Sequence, residues 1–179
     1  MAFRPRTGGR YRHHAEGGIL VGMTYRVCLV CMGNICRSPM AEIVLRKTLD
    51  DHGLGGLVTV DSAGTGGWHQ GGPMDERAAA MLAAHGYDGS LHRARRFLPE
   101  WYEQVDLVLA MDRENLRALR RLAPDGADVR LFRSFDPAAP EGAEVPDPYY
   151  GDRADFAEVL EMVEAAAAGL AKHLADRLG

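Results

Sequence analysis

Apolar residues fall in short runs, and each run is followed by a longer stretch with helical spacing. Tyr25–Val30 is short and apolar, with β-branched Val27 and Val30, which predicts a buried strand. Leu57–Asp61 repeats the pattern, Val105–Ala110 does so with Leu-Val-Leu at its centre, and Val129–Phe132 is a shorter fourth run. Between them the spacing changes. Ile43, Val44, Leu45 and Leu49 predict a helix that opens at Ser38 and stops near Gly53. Ser38 suits its cap, Pro39 its first turn and Glu42 its positive end. Met74–His85 reads as an alanine-rich helix ending at Gly86, and Asp112 caps another that runs through Leu122. Val159, Leu160, Val163, Leu170 and Leu174 mark the last helix, Phe156–Leu178. Two segments break the rhythm: the glycine-rich Gly64–Gly72 with Trp68 and His69, and the irregular Phe135–Asp152 with four of the nine prolines.

Strand and helix in alternation predict an α/β domain of three layers, a four-stranded parallel sheet with helices on both faces. No internal repeat or linker divides the chain, and 179 residues suit one domain. Residues 1–22 differ from the rest. Arg4, Arg6, Arg10, Arg12, His13 and His14 make this stretch basic and glycine-rich, without the apolar core of a signal peptide. It reads as a disordered extension, or as an over-extended start with Met23 as the natural first residue, and residues 23–179 read as the domain.

Composition narrows the chemistry. A formal net charge of −4 argues against a nucleic-acid partner. No apolar run approaches the ~20 residues that span a bilayer. All three cysteines lie between Cys28 and Cys36. A disulfide framework would spread them, so a reducing, cytoplasmic setting is expected. Cys28 and Cys31 have C-x-x-C spacing, but no second pair follows and Cys28 sits inside a strand, which disfavours zinc.

The remaining cysteine chemistry lies in Cys31-Met32-Gly33-Asn34-Ile35-Cys36-Arg37-Ser38. An apolar strand ends at Cys31, five residues follow, and a helix begins around Arg37. Ligands of parallel sheets bind beyond the carboxyl ends of the strands. Gly33 leaves room for a close anion, and Asn34 tolerates a left-handed backbone. The helix dipole points at the loop, so the segment predicts a nest of N–H groups for a phosphate-like oxyanion. The same neighbours favour a thiolate at Cys31. The planar fork of Arg37 suits two oxygens of a phosphoryl group. Cleaving a phosphate ester also needs an acid. Asp147, stiffened by Pro146 and Pro148 and followed by Tyr149 and Tyr150, is the best candidate. Taken alone, the loop leaves open a phosphatase, an arsenate reductase or an inert anion binder.

Cys31–Pro39 together with Asp147-Pro-Tyr-Tyr resembles the low-molecular-weight protein tyrosine phosphatase family. The resemblance extends through Asp61–His69, His92–Arg95 and Ala110–Asn115, and so covers the chain from about Tyr25 onward. It implies a flavodoxin-like, phosphotyrosine phosphatase I fold. It implies that Cys31 attacks phosphorus, that Arg37 and the loop amides of residues 32–38 hold the phosphoryl oxygens, and that Asp147 serves as acid and then base. Ser38 would hydrogen-bond the sulfur; Asn34, Ser62 and His85 would support the loop. Trp68, Tyr149 and Tyr150 would line the aryl slot, and Cys36 would pair with Cys31 under oxidation. Neither metal nor cofactor is implied. Tyrosine-phosphorylated proteins would be the partners, and the tyrosine-rich rim suits a monomer or a weak homodimer. Asp112 is assigned only its cap, and His69 no role.

Two related activities are disfavoured. Arsenate reductases of this type use further cysteines downstream, and none follows Cys36. Arginine phosphatases of the family carry threonine where Ile35 stands, and a branched apolar side chain there favours an aryl phosphate over a planar guanidinium phosphate.

Overall fold

A computed structural model describes residues 24–179. The expectations for residues 1–22 and for Met23 lie outside the described residues. Four strands, β1 (Tyr25–Cys31), β2 (Val58–Gly64), β3 (Leu107–Ala110) and β4 (Val129–Leu131), form one parallel sheet in the order β2-β1-β3-β4. The helices are α1 (Arg37–Asp51), α2 (Glu76–Ala84), α3 (Arg113–Leu122) and α4 (Arg153–Leu178). The three-layer α/β expectation matches this architecture.

Side chains alternate across β1, and that alternation assigns the layers. Tyr25, Val27, Leu29 and Cys31 face one core, where α1, α2 and α4 contribute Met40, Val44, Leu82, Phe156 and Leu160. Cys28 and Val30 face the other core, with Phe97, Tyr102 and, from α3, Leu116 and Leu119. Burying side chains such as Phe156 and Leu160 contributes about 1.5–3 kcal/mol each. The crossover from β2 to β3 passes from one layer to the other. After α2 the chain runs beside the end of β2, where Gly64 N–H donates to the Arg95 carbonyl and Phe97 N–H to the Gly64 carbonyl. It then turns through a 3-10 segment, Pro99–Glu103.

Several boundaries move from their expected places. The last helix begins at Arg153, not Phe156, because Asp152 and Asp155 form a capping box ahead of the apolar stripe. The fourth strand ends at Leu131, and Phe132 opens a 3-10 turn. Asp75, whose side chain accepts from the Arg77 and Ala78 N–H groups, delays α2 to Glu76. Ser38 does not cap α1: the helix starts at Arg37 with no side-chain cap, and the Ser38 hydroxyl turns inward.

Candidate active site

β1 lies at the centre of the winding: α1 leads from it to β2 on one side, and β3 pairs with its other side. That reversal opens a crevice beyond the carboxyl end of β1, the place where such sheets hold ligands. Residues 32–36 cross it. Beyond β1 and β2 the backbones stay joined, Thr65 N–H to the Cys31 carbonyl at 2.8 Å and Gly66 N–H to the Met32 carbonyl at 3.0 Å. This approach requires Gly64, since a Cβ there would stand 2.7 Å from the Met32 carbonyl oxygen.

Asn34 organises the loop. Its φ of 58° places it in the left-handed region, and its side chain is wholly buried. Nδ2 donates to Ser38 Oγ at 2.8 Å and to Ser62 Oγ at 3.0 Å, while Oδ1 accepts the Arg95 N–H at 3.0 Å. Its own N–H donates to Cys31 Sγ at 3.3 Å, and its carbonyl meets His92 Nε2 at 2.7 Å. Every polar group of this residue is used, as burial demands. Ser38 Oγ lies 3.0 Å from Cys31 Sγ and donates to the Ala63 carbonyl at 3.3 Å.

Arg37 is buried and committed on one side. Nη1 donates to Asp112 Oδ2 at 2.7 Å and to the Val145 carbonyl at 3.1 Å. Nη2 faces Asp147 Oδ2 at 3.8 Å. Burial opposes the guanidinium charge, but the Cys31 sulfur, Asp112 and Asp147 outweigh it and raise the Arg37 pKa. Cys36 is a buried free thiol, as is Cys31. Burial, then the nearby Asp75, Cys31 and Asp147, push the Cys36 pKa well above its ordinary value.

The acid-bearing segment is anchored by the buried Val145 and Pro148. Val145 N–H donates to the Met111 carbonyl at 2.7 Å, while Pro146, Asp147, Tyr149 and Tyr150 lie at the surface. The Tyr149 N–H donates to Asp147 Oδ1 at 3.1 Å, and the two tyrosine rings meet edge to face. Cys31, Ile35, Cys36, Arg37, Asp147, Trp68, His69, Tyr149 and Tyr150 line one cavity of about 280 Å³, which Met32 and Gly33 also border.

Sequence reasoning missed three parts of this arrangement. Asp112 caps α3 through the Asn115 N–H and also grips Arg37, so its second oxygen serves the loop. His69 lines the cavity, its ring so close to Gly33 that a Cβ there would stand 3.2 Å from Cδ2. His85, expected beneath the loop, closes α2 instead, with Nδ1 on the Met81 carbonyl; His92 is the histidine bonded to Asn34. The His92-Arg93-Ala94-Arg95 run was visible in the sequence, but nothing in spacing alone ranked one histidine above the other.

The sequence model for "Low molecular weight phosphotyrosine protein phosphatase" matches residues 26–178. The chain belongs to this family. It is 62% identical over 152 residues to a low molecular weight protein-tyrosine-phosphatase of Streptomyces coelicolor, covering 83% of this chain and 92% of that one. Low molecular weight protein-tyrosine phosphatase A of Mycobacterium tuberculosis is 50% identical over 153 residues, 85% of this chain and 93% of that protein. Among solved structures, a protein tyrosine phosphatase from Entamoeba histolytica superposes with a TM-score of 0.82 at 31% identity, covering 87% of this chain and all of that one. Among the described residues, no helix of this low-molecular-weight phosphatase is long and apolar enough to cross a membrane.

Proposed function

We propose that the chain hydrolyses the phosphate ester of phosphotyrosine through a cysteinyl-phosphate intermediate. The observation that carries this reading is convergence: sulfur, guanidinium, carboxylate and an aromatic wall border one cavity of about 280 Å³.

The Cys31 thiolate attacks phosphorus as the bond to the tyrosyl oxygen breaks, and Asp147 delivers its proton to that oxygen. The loop N–H groups, the start of α1 and the free side of the Arg37 fork hold the remaining oxygens, where positioning and charge supply most of the rate. A water then attacks the cysteinyl-phosphate, gives its proton to Asp147, and displaces the sulfur. The Ser38 hydroxyl, 3.0 Å from Sγ, stabilises the departing thiolate. Tyrosine-phosphorylated proteins are the substrates, and inorganic phosphate is the product. Trp68, Tyr149 and Tyr150 flank the ring. Cys36 is the partner for reversible oxidation: peroxide converts the Cys31 thiolate to a sulfenic acid, and the Cys36 thiol displaces water from it to close a disulfide.

Rates on phosphotyrosine, phosphoserine and phosphoarginine peptides test the assignment, with Cys31→Ser as control. Phosphotyrosine is expected to exceed both others by at least about a hundredfold in kcat/KM, because the aryl slot and leaving group favour it. Equal rates on all three would overturn it. Ile35, packed against the core beside the cavity, disfavours the planar guanidinium substrate.

A further inference from the structure

Arg77 stands outside the reacting groups, exposed at the start of α2, yet its side chain meets segments from opposite sides of the cavity. Nε lies 3.2 Å from Asp75 Oδ1 and Nη2 lies 3.0 Å from Asp75 Oδ2, a two-point ion pair. Asp75 in turn donates its N–H to the Ile35 carbonyl at 2.9 Å, which attaches the pair to the anion loop. On the other side, Nη1 donates to the Gly151 carbonyl at 3.4 Å. The guanidinium carbon stands 5.5 Å from the centroid of the Tyr149 ring and 4.7 Å from that of Phe156. Tyr149 passes the connection to Asp147 through its N–H.

An exposed ion pair contributes little by itself. Here the planar fork engages a carboxylate while its face lies over two rings, a combination specific to arginine. The pairing is also favourable for Asp75: burial raises its pKa, but the hydrogen bonds from Arg77 and Ala78 more than reverse this and hold it below its ordinary value. Tyr149 needs such an anchor. Its segment is fixed by Val145 at one end, by the Asp152 cap of α4 at the other and by the buried Pro148 between them, but the side chains of Asp147, Tyr149 and Tyr150 are exposed.

We propose that Arg77 is a positioning residue that fastens the Tyr149 wall of the aryl slot to the anion loop and thereby sets affinity for aryl phosphates. The inference rests on the tyrosine phosphatase reading. Arg77 acts on substrate through Tyr149, so its effect belongs in KM and depends on that ring.

Steady-state kinetics on phosphotyrosine with Arg77→Ala, Arg77→Lys, Tyr149→Ala and the two double variants test this. Arg77→Ala is expected to raise KM about tenfold while kcat changes less than about threefold. Arg77→Lys keeps a cation near the rings but loses the fork, and is expected to fall between wild type and Arg77→Ala. In the Tyr149→Ala background, either Arg77 substitution is expected to change KM by less than about twofold, since the partner is gone. Should Arg77→Ala unfold, the Arg77→Lys cycle alone decides. An unchanged KM in the single variants, or KM effects that multiply in the doubles, would overturn the proposal. Wild-type enzyme that does not turn over phosphotyrosine would contradict the phosphatase reading itself; wild-type turnover with uncoupled variants contradicts only the role of Arg77.

Discussion

The cavity has two walls of opposite construction. Across the anion loop, Asn34 is 0% exposed and every polar group it owns is hydrogen-bonded. Across the acid segment, Tyr150 is 95% exposed and Asp147 keeps one hydrogen bond from its neighbour's N–H. The difference follows what each wall must do. Phosphoryl oxygens and an attacking sulfur need donors fixed before the reaction starts. An aryl ring must enter and leave, and an acid must reach an oxygen whose position varies with substrate. Arg37, which closes the anion loop, also reaches the acid segment, through the Val145 carbonyl and Asp147.

The largest effect expected from breaking this division is at Arg37. Arg37→Lys keeps the charge but loses the fork, and is expected to lower kcat/KM by about 10²- to 10³-fold on every substrate. A loss confined to poor leaving groups would move Arg37 to the acid's side. Next comes Asn34→Ala. Removing its bonds leaves buried partners unsatisfied, and alanine is strained at a φ of 58°. A destabilisation of about 2–4 kcal/mol is expected by denaturant unfolding. Asp147→Ala, on the exposed wall, is expected to stay within about 0.5 kcal/mol. Similar values for both would erase the contrast.

A smaller effect concerns pH. Burial holds the His92 pKa below its ordinary 6.5, against the opposing pull of the Asn34 carbonyl and Glu42. The folded protein therefore resists a proton that the unfolded chain accepts. Stability should fall as pH drops below 6.5, and go on falling until the folded pKa is passed. His92→Gln retains a donor for the Asn34 carbonyl and is expected to flatten this dependence in melting curves between about pH 7 and 5. An unchanged slope would remove His92 from the acid sensitivity of the loop.

These walls were not equally visible in the sequence. The strands were, because each of β1 to β4 overlaps a short apolar run, although β2 runs on past Asp61 to Gly64 and β3 starts only at Leu107. The anion loop was, because Cys31, Gly33, Asn34 and Arg37 are adjacent and each residue type has a stated reason to be there. What escaped were contacts made across the fold. Asp112 serves Arg37 from 75 residues away, and its local role as a cap already accounted for an aspartate there. Ser38 stands where a cap is expected, but its hydroxyl turns inward, to the Ala63 carbonyl and the Cys31 sulfur 3.0 Å away. Nothing local ranks His92 above His85, and only the path of the chain beside β2 brings His92 under the loop. The early start of α4 was legible in principle, since Asp152 and Asp155 have capping-box spacing ahead of Phe156.

The division of labour is tested most directly by the first turnover, before hydrolysis of the intermediate can limit the rate. Burst-phase phenol release would be measured for wild type and Asp147→Ala across aryl phosphates whose phenols span pKa values from about 7 to 10. If in this first step Asp147 serves only the leaving oxygen, the variant loses less than about tenfold on the most acidic phenol and about 10²- to 10³-fold on phosphotyrosine. The same loss on every leaving group would contradict this, and would place Asp147 with the machinery that holds the phosphoryl group.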